Sequence, residues 1–110
     1  MALLERTRIE VYLPDLPTAA YQNLLDAFDT EFTYSFGGCT TNRGLDGSYL
    51  SSAGIKTPDR INLIYTDIPV ALSTNFELVA AYARELKRSA FESLSEEVVL
   101  IVVKQVYHTV

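Results

Sequence analysis

A nucleophilic cysteine needs a neighbouring base or a depressed pKa. This chain of 110 residues holds one cysteine and one histidine, Cys39 and His108. Cys39 stands in FGGCTTNRGLDGSYL, residues 36–50, the one stretch that reads as neither plain helix nor plain strand; it carries Gly37, Gly38, Gly44 and Gly47, four of the five glycines. Glycine inside a strand pattern signals a bulge or a close backbone approach, and a glycine pair can turn successive N–H groups towards an anion. Arg43 and the hydroxyls of Thr40 and Thr41 stand close by in sequence. Neither G-x-G-x-x-G nor G-x-x-x-x-G-K-[ST] occurs, so the two well-understood phosphate loops are absent from the sequence.

The carboxylates offer no evident acid–base pair. Glu96 and Glu97 are neighbours and would point to opposite faces of a strand. Asp26 and Asp29 lie one helical turn apart, on a solvated side, and Asp15, Asp46 and Asp59 fall at loop ends whose mutual placement the sequence does not give. With no cluster of cysteine and histidine, neither a metal site nor a cofactor is expected.

The bulk properties narrow the partners. The net charge is −5, and the densest basic group, Arg84, Lys87 and Arg88, reads as the last turn of a helix, where cations complement the dipole. Nucleic acid, which is bound through clustered Lys and Arg, is not expected. No run approaches the ~18 apolar residues of a membrane span, and the start, MALLERTRIE, becomes charged too early for a signal peptide. A cytoplasmic protein is the expectation. At 48 % hydrophobic residues the chain can build a core without disulfide or metal staples; no repeat or linker divides it, so residues 1–110 are read as one domain.

The elements that must position these residues follow from periodicity. Arg6 to Leu13 alternates, with Ile9, Val11 and Leu13 on one face and Arg8, Glu10 and Tyr12 on the other, which predicts a half-buried strand. Ala20, Tyr21, Leu24, Leu25 and Phe28 repeat at three and four residues and predict a helix from Thr18 to about Thr30. Phe32, Tyr34 and Phe36 alternate with polar residues and predict a second strand that runs into the glycines. The segment 42–47 reads as a polar excursion with turn-prone Asp46-Gly47, and residues 51–54 as a turn. A third strand covers 61–67, with Ile61, Leu63 and Tyr65 opposite Asn62, Ile64 and Thr66. Ser73 and Thr74 open a long second helix, with Thr74 and Glu77 spaced as a capping box and Phe76, Val79, Ala83, Leu86, Ala90 and Leu94 as its stripe. VVLIVV, residues 98–103, is the strongest strand signal and can extend to Tyr107.

Strand, helix, strand, strand, helix, strand predicts an α+β ferredoxin-like sandwich, an antiparallel sheet with both helices on one face and an irregular glycine-rich segment in the second strand. In this order of elements the chain resembles the ferredoxin-like superfamily, including its dimeric α+β barrel members. GLDGSYLSSAG followed by DRINLIY is similar to the central hairpin of small bacterial domains of unknown function with this shape. The resemblance implies the fold and brings no catalytic residues with it.

Such a sandwich leaves one sheet face uncovered. On the last strand both faces are apolar, so the open face should be closed by a second copy of the chain, with residues 2–4 as the alternative cover. In this topology the ten steps from residue 98 to His108 span ~33 Å and place the histidine at the end of the sheet away from the glycine segment, so Cys39 is read as an inert thiol and His108 as a solvated tail residue. Tyr34 and Tyr65 can face either side. The functional expectation is a homodimeric, non-catalytic binding domain for a protein partner or a small metabolite, with Arg8, Tyr12, Gly37, Gly38, Cys39 and Arg43 as candidate ligand-binding residues. The alternative is a small dimeric α+β barrel-type enzyme with a pocket between the open face and the glycine segment.

Overall fold

The computed structural model describes residues 2–94 and 99–110. Glu96 and Glu97, expected to point to opposite faces of a strand, and residue 98, expected to start the last strand, lie outside them. Six elements follow one another: β1 (Leu3–Pro14), α1 (Ala19–Phe36), β2 (Thr40–Leu50), β3 (Lys56–Ile68), α2 (Leu72–Leu94) and β4 (Leu100–Thr109). They build one antiparallel sheet in the order β2-β3-β1-β4 with both helices on one face, the ferredoxin-like sandwich that the element order predicts.

Register decides which side of each strand is inside. Ile9, Val11 and Leu13 of β1 pair with Thr66, Ile64 and Asn62 of β3, and Ile9 and Val11 also with Val103 and Ile101 of β4. These rungs face the helices, where Leu24, Leu25, Phe28, Phe32, Val79, Leu86 and Ala90 complete the core. The open face therefore receives Ile61, Leu63 and Tyr65, while the more polar set, Asn62, Ile64 and Thr66, is buried. Burial of polar groups costs little only when they are hydrogen-bonded, and these are. Thr66 Oγ1 donates to Gly38 O at 2.7 Å, Asn62 Nδ2 donates to Asp15 Oδ1 at 3.2 Å, and Thr7 Oγ1 donates to Val70 O at 2.9 Å.

Three local expectations are overturned. Phe32, Tyr34 and Phe36 are helical, because α1 runs to Phe36 rather than stopping near Thr30. Their alternation hides a second period, in which Phe28, Phe32 and Phe36 recur every four residues and stack along one helix face with ring centroids 6.0 and 6.4 Å apart. Packing overrides strand propensity here, since Phe32 is fully buried on that stripe. Gly37 is accordingly not a strand bulge but the residue that ends α1. Its φ of 91° is left-handed, and its N–H donates to Thr33 O at 2.9 Å. The bulge sits seven residues later. Residues 42–47 do not leave the sheet as a polar excursion; β2 stays paired to β3 through Leu50, with one register shift between Asn42 and Leu45. Gly44 occupies the shift at φ 65°, and its N–H donates to the buried Asn62 Oδ1 at 2.9 Å.

The turn at 51–54 forms as predicted, with Gly54 N–H donating to Ser51 O at 2.9 Å. In α2 the backbone kinks at Asn75 (φ −130°, ψ 24°), whose Nδ2 donates to Ala71 O and to Thr74 Oγ1. Val79, Leu86 and Ala90 of the predicted stripe are buried beyond it, but Phe76, next to the kink, stands 61 % exposed. Lys87 Nζ donates to Val99 O, tying α2 to the entry of β4. Among the described residues no helix is long and apolar enough to cross a membrane.

Candidate functional site

The helix-free face of the sheet divides into an ion-paired half and an apolar half. β1 contributes Arg6, Arg8, Glu10 and Tyr12 to it, as its alternation predicts. By register β4 adds Leu100, Val102, Lys104, Val106 and His108, and β3 adds Ile61, Leu63, Tyr65 and Asp67.

In the ion-paired half, Arg8 grips Asp67 with two hydrogen bonds, Nε to Oδ1 at 2.7 Å and Nη2 to Oδ2 at 2.9 Å. Its guanidinium lies 4.4 Å from the ring centroid of Tyr65, a cation–π contact. His108 Nε2 lies 2.7 Å from the same Asp67 Oδ2, so His108 is not a free tail residue; the long β4 brings it onto β1 and into this cluster. One rung along, Lys104 Nζ is 3.0 Å from Glu10 Oε2, and Tyr12 Oη donates to Glu10 Oε1 at 3.1 Å. These two contacts explain how Glu10 can be only 6 % exposed on an open face.

Arg8 holds the Asp67 carboxyl below its ordinary range; burial opposes this, and His108 assists it. A carboxyl whose folded pKa is depressed stabilises the fold above its unfolded value, near 3.9, and loses that contribution as pH falls through the folded value. Asp67→Asn should thus cost roughly 1 kcal/mol at pH 7, after allowance for solvent screening. The gap between variant and wild type should close below about pH 4. Paired thermal melts from pH 7 to pH 3 test this, and a gap that stays constant to pH 3 would refute it.

The apolar half lies at the end where β1 finishes and β4 begins. Leu100 is 58 % exposed, and Val102, Tyr12, Leu63 and Ile61 are half-buried beside it; β2 continues the stripe with Leu45 and Tyr49. β4 is thus apolar on both faces, because Val99, Ile101 and Val103 pack on the core while Leu100 and Val102 face outward.

The remaining candidates lie elsewhere. Gly37 caps α1, and Gly38 O accepts from Thr66, so neither glycine lies on the open face with Arg8 and Tyr12. Cys39 packs on the helix side, with Sγ 3.8 Å from Thr33 Oγ1 and 4.0 Å from Asp29 O. Burial pushes its thiol up, against the direction a nucleophile requires. His108 is on the other face, so the sheet separates the two. Arg43 is exposed at the bulge. Asp15, Asp46 and Asp59, which the sequence could not place, line one open recess around Arg60, and among the described residues no group of three acids, histidines or cysteines could hold a metal.

One feature has no signal in the sequence reading. Phe36, Ile68, Val70, Leu78 and Tyr82 line an open groove of ≈ 590 Å³ between the end of α1 and α2. Phe36 meets Tyr82 edge-on at 5.5 Å, and Tyr82 Oη donates to Glu31 Oε1 at 2.9 Å. The groove draws on α1, β3, α2 and the connection between β3 and α2, which no local pattern joins.

A scan against protein-family models finds no match, and a search of the curated proteins finds none either. Among solved structures the chain is similar to CPII, a nitrogen regulatory PII-like protein from Thiomonas intermedia K12, in a form bound to ADP, AMP and bicarbonate. The identity is 16 % over 99 % of this chain and 100 % of that one, with a TM-score of 0.48. A second CPII structure, bound to ADP, AMP and acetate, matches at 16 % identity over 99 % and 93 % of the two chains, with a TM-score of 0.49. A likeness at this level brings neither a ligand nor a role to the present chain.

Proposed function

We propose that this protein is a binding module that works as a homodimer, with the open sheet faces of two copies packed together. The observation that carries the reading is the apolar stripe from Leu100 through Tyr12 and Leu63 to Leu45, laid across all four strands on the face without helices. A contiguous exposed apolar patch marks an interaction surface. Charge does not oppose a like partner. Between Arg6 and Pro14 the face carries Arg6, Arg8 and Lys104 against Glu10 and Asp67, three positive and two negative, or +1, whereas the chain as a whole carries −5. Two copies meeting here oppose each other with a net charge of only +1 apiece, and each face carries both signs. A partner protein or a small metabolite is then bound by the assembled dimer.

Native mass spectrometry at micromolar concentration, under gentle and then harsh activation, tests both parts. The expected spectrum is a dimer, and a removable extra mass would identify a small-molecule ligand directly. Leu100→Asp should leave the fold intact, since Leu100 is exposed, and reduce the species to a monomer. A wild type that is monomeric at micromolar concentration would sink the proposal.

A further inference from the structure

β1 stops at Pro14, opposite Ile61, but β2 and β3 continue. At the base Arg60 O still accepts from Asp15 N–H at 2.9 Å, but from Gly47 to Leu50 and from Lys56 to Asp59 they pair only with each other, as a two-stranded arm closed by the turn at 51–54. The molecule is 48 Å long but only 27 by 24 Å across. A two-stranded ribbon without a covering layer is at best marginally stable in water. This one also exposes large apolar side chains near its tip: Tyr49 at 54 %, Leu50 at 73 % and Ile55 at 63 %. An ordinary solvated hairpin would place polar residues there.

From this geometry we infer that the arm is an intermolecular clasp, and that its occupant is a second copy of the chain. The inference rests on the dimer proposed above. Two observations and one symmetry argument point to that occupant. The apolar stripe is not centred on the sheet but sits at the arm end, and beyond the Gly47–Asp59 pair it resumes on the arm at Tyr49, on the same side as Leu45, Ile61 and Leu63. A copy seated on the stripe therefore meets the base of the arm. If the partner's strands run in the reverse direction, as a two-fold axis allows, the arm, having passed the end of its own β1, lies over the partner's sheet. Finally, Leu50 points to the opposite side from Tyr49 by strand alternation, so the arm is apolar on both sides and is covered only if the partner wraps its tip.

The test compares the wild type with the triple variant Tyr49→Ser, Leu50→Ser, Ile55→Ser by sedimentation equilibrium. All three side chains are exposed within one copy, so the variant should keep the wild-type circular dichroism. The expected result is a dimeric wild type and a dissociation constant raised at least tenfold in the variant. A variant that dimerises with an unchanged constant overturns the clasp and leaves the dimer standing; a monomeric wild type overturns both. Hydrogen exchange on the wild type gives a second reading that needs no substitution. Amides at 46–50 and at 56, 57, 59 and 60 should be protected at high concentration and lose that protection on dilution below the dissociation constant. Equal exchange at both concentrations overturns the clasp.

Discussion

Replacing Phe32 with alanine should be the most damaging single truncation in this molecule, lowering the melting temperature by roughly 12 to 20 °C. Phe32 is fully buried and lies in the middle of the Phe28–Phe32–Phe36 stack. Its removal forfeits the apolar transfer of a whole ring and leaves a cavity that the surrounding elements cannot close, for ~3 to 5 kcal/mol. For a domain of this size each kcal/mol moves the midpoint by about 4 °C or more. Thermal denaturation followed by circular dichroism measures it, with Tyr34→Ala as the control. Tyr34 is two residues away and 87 % exposed, so its loss should move the midpoint by less than about 2 °C. Comparable losses at both positions would mean that this segment is not the helix described.

The second large effect is expected at Asn62. This side chain is 1 % exposed and joins three strands or their ends: its Oδ1 accepts from Gly44 N–H in the β2 bulge, and its Nδ2 donates to Asp15 just past β1. Asn62→Leu keeps a similar volume but strips the bulge of its acceptor. An unsatisfied backbone donor costs about 1 to 3 kcal/mol, so the urea midpoint should fall by an amount corresponding to that loss. The damage should be centred on the bulge, with the amide of Gly44 exchanging faster than in the wild type. A midpoint shift worth less than about 0.5 kcal/mol, within the range of ordinary surface substitutions, would show that water replaces the asparagine at no cost. Gly44 suits this bulge because its φ of 65° is left-handed, a conformation that residues with a Cβ rarely adopt.

The two positions also show where the sequence reading was right and where it was not. Around Phe32 two periods coexist, because an every-other-residue pattern of aromatics that extends a four-residue repeat satisfies strand and helix alike. The choice is made by what lies underneath, and the core beneath α1 takes Phe32. At Asn62 the alternation of β3 was legible, but its phase was not. Ile61, Leu63 and Tyr65 look like the buried set by hydrophobicity, yet the opposite set is buried, because Gly38 O, Gly44 N–H and Asp15 are positioned to satisfy Thr66 and Asn62.

The Arg8–Glu10–Tyr12 face, the doubly apolar last strand and five of the six elements were determined by local period and composition; the second strand was expected at 32–36 and lies at 40–50. They follow from residues within a few positions of one another, and they suffice to give a ferredoxin-like sheet with an open face. Only the tertiary structure decided what that face holds. The pairing of β1 with β4 brings His108 onto Asp67 and Lys104 onto Glu10 across more than 40 and 90 residues of chain, and strand register alone turns Leu63 and Leu100 to the same side as Tyr12. The arm belongs to the same class: it exists because β1 ends at Pro14 while β2 and β3 continue, a relation between three segments that no single one of them encodes.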